Sequence, residues 1–108
     1  VMLTTIGRKS GKKRTVPLAS FHQYDEYVVI ASYGGNSHHP AWFLNLRENP
    51  DVEIQIDTLI TKAKASIVEK PDRRYQELWE KATDTYHGFD NYQKATSRSI
   101  PIVIIKPC

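Results

Sequence analysis

Hydrophobic and polar positions change period several times along the 108 residues, and each change marks an element. Val52, Ile54 and Ile56 alternate with Glu53, Gln55 and Asp57, and Ala63, Ala65 and Ile67 alternate with Lys62, Lys64 and Ser66. A period of two sends alternate side chains to opposite faces of a strand, so these runs predict a hairpin turning at Asp57-Thr58-Leu59. Val1–Thr5 and Arg14–His22 are rich in β-branched and apolar residues and predict a second hairpin around Gly7–Arg14, with Pro17 marking an edge or a bulge. Tyr27–Ser32 and Ile100–Ile105 are apolar at nearly every position, the pattern of strands covered on both faces. The first of them is expected at the centre of the barrel.

Elsewhere the period approaches that of a helix. Pro40 suits the start of a short helix over Ala41–Glu48, closed by Asn49-Pro50, from which Trp42, Phe43, Asn45 and Leu46 project together. After Pro71 and Asp72, the residues Tyr75, Leu78, Trp79 and Ala82 share one face of a longer helix, surrounded by Arg73, Arg74, Glu77, Glu80 and Lys81. Gly88 interrupts it, and a further short helix is expected from Phe89 to Thr96. About six antiparallel strands in hairpins with helices between them predict a mixed α+β, mainly β fold: a small barrel with helices over its mouth, in one domain spanning 1–108.

Charge changes this picture at one place. Gly7-Arg8-Lys9-Ser10-Gly11-Lys12-Lys13-Arg14 carries five cations, and without them the chain's 15 Lys and Arg against 12 Asp and Glu become ten against twelve. The positive charge is placed, not spread. Arginine forks and the N–H groups of two glycines and a serine suit phosphate and carboxylate, so the turn is expected to be an anion cradle; a solvated loop is the plainer alternative. It is no P-loop, since three residues separate the glycines, Lys13 follows Lys12, and a strand follows.

Known catalytic patterns are missing: there is no Gly-x-Ser-x-Gly, His-Glu-x-x-His, cysteine pair or Gly-x-Gly-x-x-Gly. His38-His39 has no companion at ligand spacing, so no metal is expected. A catalyst with neither nucleophile nor metal takes its chemistry from an organic cofactor, whose anionic tail the basic turn would hold. Trp42, Phe43, Tyr86, Phe89 and Tyr92 lie beside glycine-containing loops or on short helices, where they could wall a flat pocket; core packing is the preferred reading for Phe43 and Trp79. The lone cysteine, Cys108, excludes an internal disulfide, and no apolar run reaches the ~20 residues of a membrane helix. A soluble, cytoplasmic protein is expected. The chain opens in mid-pattern without an initiator methionine, which is read as a missing N-terminal piece and leaves room for a peripheral membrane contact through it.

Four blocks in order carry a resemblance: Leu3-Thr4-Thr5-Ile6-Gly7-Arg8-Lys9-Ser10-Gly11 with Arg14 and Pro17-Leu18; Ala31-Ser32-x-Gly34-Gly35; His39-Pro40-x-Trp42-x-x-Asn45-Leu46-x-x-Asn49-Pro50; and Tyr92-Gln93-x-x-Thr96-x-Arg98-x-Ile100-Pro101. Together they resemble the deazaflavin-dependent nitroreductase family of actinobacteria, which use reduced coenzyme F-420. The resemblance implies a split β-barrel that binds this 8-hydroxy-5-deazaflavin in a groove, with the phospholactyl-oligoglutamate tail on the basic hairpin. By position, Arg8, Lys9, Ser10, Gly11 and Arg14 would meet the phosphate and tail carboxylates. Pro17, Leu18, Ala31, Ser32, Tyr33, Gly34, Gly35, Trp42 and Asn45 would line the ring. Ser32 would sit near the reacting edge, Tyr86, Phe89 and Tyr92 would form the substrate wall, and the hydroxyls of Ser32, Tyr86 and Tyr92 are the candidate catalytic groups. Two positions depart from the family: Tyr33 stands where many relatives carry Lys, and Phe89 where the best-known nitroreductase has Tyr.

The reading is an oxidoreductase that passes hydride from reduced coenzyme F-420 to a flat, electron-poor small molecule: a quinone, an activated enone or lactone, or a nitroaromatic. A flavin mononucleotide enzyme on the same barrel would not need five cations for its short phosphate. A nucleic-acid-binding module would want aromatics among the cations, and Gly7–Val16 has none, so no nucleic acid is expected. The assembly is expected to be a monomer or a homodimer.

Overall fold

A computed structural model describes residues 1–32, 38–85 and 88–108, and the side chains of all of these except 88–90. The chain begins with strands β1 (Met2–Ile6), β2 (Lys13–Pro17), β3 (Ser20–Gln23) and β4 (Glu26–Ile30). Helix α1 (Ala41–Glu48), the hairpin β5 (Asp51–Ile56) and β6 (Leu59–Val68), helices α2 (Arg73–Thr85) and α3 (Gly88–Lys94), and strand β7 (Ile102–Pro107) follow. The described strands form one seven-stranded antiparallel sheet in the order β2-β1-β5-β6-β7-β4-β3.

That order requires curvature. Strands β2 and β3 are the two edges of the sheet, yet only Leu18 and Ala19 separate them in the chain. Six strand spacings of about 4.8 Å would hold the edges of a flat sheet nearly 30 Å apart, whereas Pro17 and Ser20 can be no farther apart than about 10 Å. The sheet therefore curls until its edges meet at this corner, and the barrel is split between β2 and β3. The sequence predicts a single strand over 14–22. The structure corrects it: the segment breaks at Leu18-Ala19, its halves pair with different partners, and the sheet has seven strands instead of about six.

Both faces of the sheet are covered. On one, Leu3, Val29, Ala31, Val52, Ile54, Val103 and Ile105 pack on Trp42, Phe43 and Leu46 of α1. On the other, Val28, Ile30, Val68, Ile102 and Ile104 pack on Tyr75, Leu78 and Ala82 of α2. Odd and even residues of β4 and β7 thus serve different helices, which is why these strands are apolar at every position. Strand β4 is double-faced as expected but not central, lying one place in from the edge. Helix α1 has its expected bounds, and Pro40 opens it, accepting from the N–H groups of Phe43 and Leu44 at 3.1 and 3.3 Å.

Candidate functional site

The hairpin β1–β2 carries the basic turn. Thr5 pairs with Arg14 and Leu3 with Val16, so Arg14 and Val16 share the face that α1 covers, while Lys13 turns to the other face and lies 3.0 Å from Glu53. The turn is closed from within: Gly7 N–H donates to Lys12 O and Gly11 N–H to Gly7 O, both at 2.8 Å, and Lys12 N–H donates to Ser10 Oγ at 3.2 Å. Gly11 has a φ of +70°, which a side chain would strain; a Cβ on Gly7 would come within 2.7 Å of Ser10 Oγ. The glycine N–H groups are thus spent on closing the turn, which corrects the expectation that they would face an anion. The cradle is made of side chains, and among the described residues Lys9, Lys12 and Arg14 form no ion pair.

Asn45 fastens this turn to α1. Its side chain is 4% exposed; Oδ1 accepts from Arg8 N–H at 3.2 Å and from Arg8 Nη1 at 2.9 Å, and Nδ2 donates to Thr5 Oγ1 at 3.2 Å. Arg8 is therefore aimed by a buried amide.

Two cavities meet beside α1. The first, about 590 Å³, is lined by Arg8, Lys9, Ser10, Lys13 and Arg14 together with Trp42 and Asn45. The second, about 520 Å³, lies at the split in the barrel, between Val16, Pro17 and Leu18 on one side and Ile30, Ser32, Pro40 and Tyr92 on the other. Val16, Ala41 and Trp42 line both, so a cationic groove runs into a largely apolar slot.

Beneath the slot, Arg98 ties three segments together. Its Nη2 donates to Ala31 O at 3.3 Å and to Ser32 O at 2.8 Å, and Nη1 lies 3.2 Å from His39 Nδ1. Burial, then Arg98 and Arg47, hold the His39 imidazole below its ordinary 6.5, opposed by Glu69, so at neutral pH the ring is uncharged and Nδ1 can accept. Burial also pulls Arg98 below its ordinary value.

Of the residues singled out in the sequence, Arg8, Lys9, Ser10, Arg14, Trp42 and Asn45 meet in the groove, and Pro17, Leu18, Ser32, Trp42 and Tyr92 in the slot. Asn45, expected at the ring, lines the groove and accepts from Arg8. Ala31 is fully buried and offers only its carbonyl, to Arg98. Tyr33, Gly34, Gly35, Tyr86 and the Phe89 side chain lie outside the described residues. Sequence reasoning missed Val16, Pro40 and Ala41 as lining and Arg98 as a fastener. Val16 was within reach, since it sits at strand spacing between Arg14 and Leu18; Arg98 carried no signal beyond its place in the fourth block.

The model of a family described as F420H(2)-dependent quinone reductase matches residues 1–107. The chain belongs to that family. A member from Mycobacterium tuberculosis (strain ATCC 25618 / H37Rv), described as an F420H(2)-dependent quinone reductase, is 36% identical over 106 residues, covering 97% of this chain and 71% of the relative. A solved structure described as an F420-H2 dependent reductase superimposes with a TM-score of 0.82 at 34% identity, covering 97% of this chain and 91% of that one. Another, described as a domain-swapped dimer, gives 0.86 at 35% identity over 97% and 78% of the two chains. This family member is accordingly an F420-dependent reductase, with coenzyme F-420 as its cofactor. The donor set suits a molecule with a polyanionic tail and a flat ring: cations line one cavity, Lys9 and Arg14 among them without an ion pair among the described residues, and apolar walls line the one beside it. No described helix is long and apolar enough to cross a membrane.

Proposed function

We propose that this reductase takes a flat, electron-poor acceptor in the slot: a quinone, an activated enone or lactone, or a nitroaromatic. The observation that carries the reading is that Val16, Ala41 and Trp42 line both cavities, an arrangement that suits one elongated ligand with its anionic end on the hairpin and its ring against Trp42. When bound, the reduced coenzyme supplies a hydride. Arg8, Lys9, Ser10 and Arg14 are assigned to its phosphate and tail carboxylates, with Arg8 held ready by Asn45 and Gly11 shaping the turn that carries them. Pro17, Leu18, Ser32 and Trp42 are assigned to the ring, together with Tyr33, Gly34 and Gly35. The apolar walls exclude water and keep acceptor and ring in contact, where proximity contributes most. Ser32 and Tyr92 both line the slot, and their hydroxyls, with that of Tyr86, are assigned to hold and move the proton that completes the reduction. Tyr92 with Tyr86 and Phe89 is assigned to the acceptor wall. The likeness to a domain-swapped dimer favours a homodimer over a monomer, and the cytoplasm is the proposed location.

The test is to supply reduced coenzyme F-420 with menadione, a coumarin or a nitroimidazole and follow reoxidation, with reduced nicotinamide and reduced flavin mononucleotide as comparison donors. The expected result is protein-dependent oxidation of the deazaflavin alone, with menadione among the acceptors. Oxidation no faster than without protein, for every acceptor, would refute the proposal.

A further inference from the structure

We infer that Arg98 is the positioning residue of the slot, clamping together the two segments, at Ser32 and at Pro40, that build one of its walls, in one geometry before any ring arrives. The inference rests on the slot being the ring site. Strand β4 ends at Ile30, opposite Ile102, and beyond that last pair the Ala31 N–H still donates to Pro101 O at 3.0 Å. The carbonyls of Ala31 and Ser32 have left the ladder. Two consecutive buried carbonyls need donors that diverge at a fixed angle, and the planar guanidinium answers both through Nη2 while Nη1 reaches the imidazole of His39. One side of the clamp thereby fixes Ser32, and the other fixes the residue before Pro40; both Ser32 and Pro40 line the slot.

Each end of the clamp is itself anchored. The His39 ring rests 4.7 Å from that of Phe43, which is fully buried in the core under α1. On the other side, Gln93 in α3 donates from Nε2 to Arg98 O at 2.7 Å and accepts from Ile100 N–H at Oε1 at 3.0 Å, which holds the stretch between α3 and β7 in place. A slot fixed in this way does not have to be ordered by its ligand, so the ligand keeps affinity that ordering would otherwise consume. Lysine lacks the second nitrogen: one ammonium on a flexible stem can answer the two carbonyls that Nη2 reaches, but it does not at the same time reach the imidazole that Nη1 holds.

The experiment titrates oxidised coenzyme F-420 by fluorescence into the parent protein and into Arg98→Gly, Arg98→Lys and Gln93→Leu, and measures amide hydrogen exchange at Ala31 without coenzyme. Arg98→Gly should bind at least tenfold more weakly and exchange at Ala31 at least tenfold faster, with added methylguanidinium recovering most of both. Arg98→Lys should lose affinity to a similar degree. Gln93→Leu should show a smaller loss of the same kind and carries the test if Arg98→Gly does not fold. Affinity of Arg98→Lys within twofold of the parent would overturn the inference. So would faster exchange across the whole sheet that methylguanidinium leaves unchanged, because that is a merely structural role. If the parent itself fails to bind the coenzyme, the ring-site reading falls, while the exchange at Ala31 still decides whether Arg98 clamps the segment.

Discussion

Replacing Asn45 by Ala tests whether one buried amide couples the basic turn to α1. The change removes an acceptor shared by two donors of Arg8 and a donor to Thr5 Oγ1. Thr5 is 1% exposed, so its hydroxyl is left without that partner away from water, at about 1–3 kcal/mol. Arg8 is exposed, so water replaces its partner and the two lost bonds count only about 0.5–1 kcal/mol each. The sum is about 2–5 kcal/mol, which at 4–8 °C per kcal/mol for a domain of roughly this size lowers Tm by about 8–40 °C. Arg8 then samples many rotamers, and ordering it on the tail costs roughly tenfold in coenzyme affinity. The assay is thermal unfolding by circular dichroism, paired with fluorescence titration of the coenzyme well below Tm. Asn45→Asp serves as the control: it keeps an acceptor for Arg8 but adds an anion to the cradle, so it should weaken coenzyme binding more than Asn45→Ala does. A Tm within about 3 °C of the parent and unchanged affinity in Asn45→Ala would refute the coupling.

Three further outcomes are expected. Replacing Arg8, Lys9 and Arg14 together by Ala should weaken coenzyme binding roughly a hundredfold at low salt, at about 1 kcal/mol per exposed cation, with the gap narrowing as salt rises; a salt-independent difference would argue against an electrostatic cradle. Ser32→Ala should lower kcat more than coenzyme affinity, and an equal fall in both would make Ser32 a binding residue only. His39 prefers its neutral form in the folded protein, because of burial and of Arg98 and Arg47, against the opposing Glu69. The unfolded chain therefore takes up a proton at higher pH than the native one, so this contribution is complete above pH 6.5 and is lost as pH falls below it. Melting the parent and His39→Gln at pH 7.5 and 5.5 should show a smaller acid loss in the variant; equal losses would assign the acid sensitivity to other groups.

The sequence by itself determined the local elements and their faces. Alternation in 51–57 and 59–68 settles β5 and β6, because a period of two serves one buried face wherever the strand lies. Pro40 and the pair Asn49-Pro50 bracket α1, because proline and chain-end chemistry act within a turn or two of backbone. The five clustered cations marked the groove for the same reason: charge density is a property of the string. The tertiary structure decided everything that depends on partners far apart in the chain. Nothing local in 14–22 says that β2 and β3 become opposite edges of one sheet, since both halves read as apolar strand and the choice lies in how β1, β4, β5 and β7 are already paired. The slot exists only because those edges are drawn back to one corner. The same is true of the two side chains that hold it in shape: Asn45 meets Arg8 across 37 residues and Arg98 meets Ser32 across 66, and a polar side chain reveals its partner only when the fold buries it and brings that partner within reach.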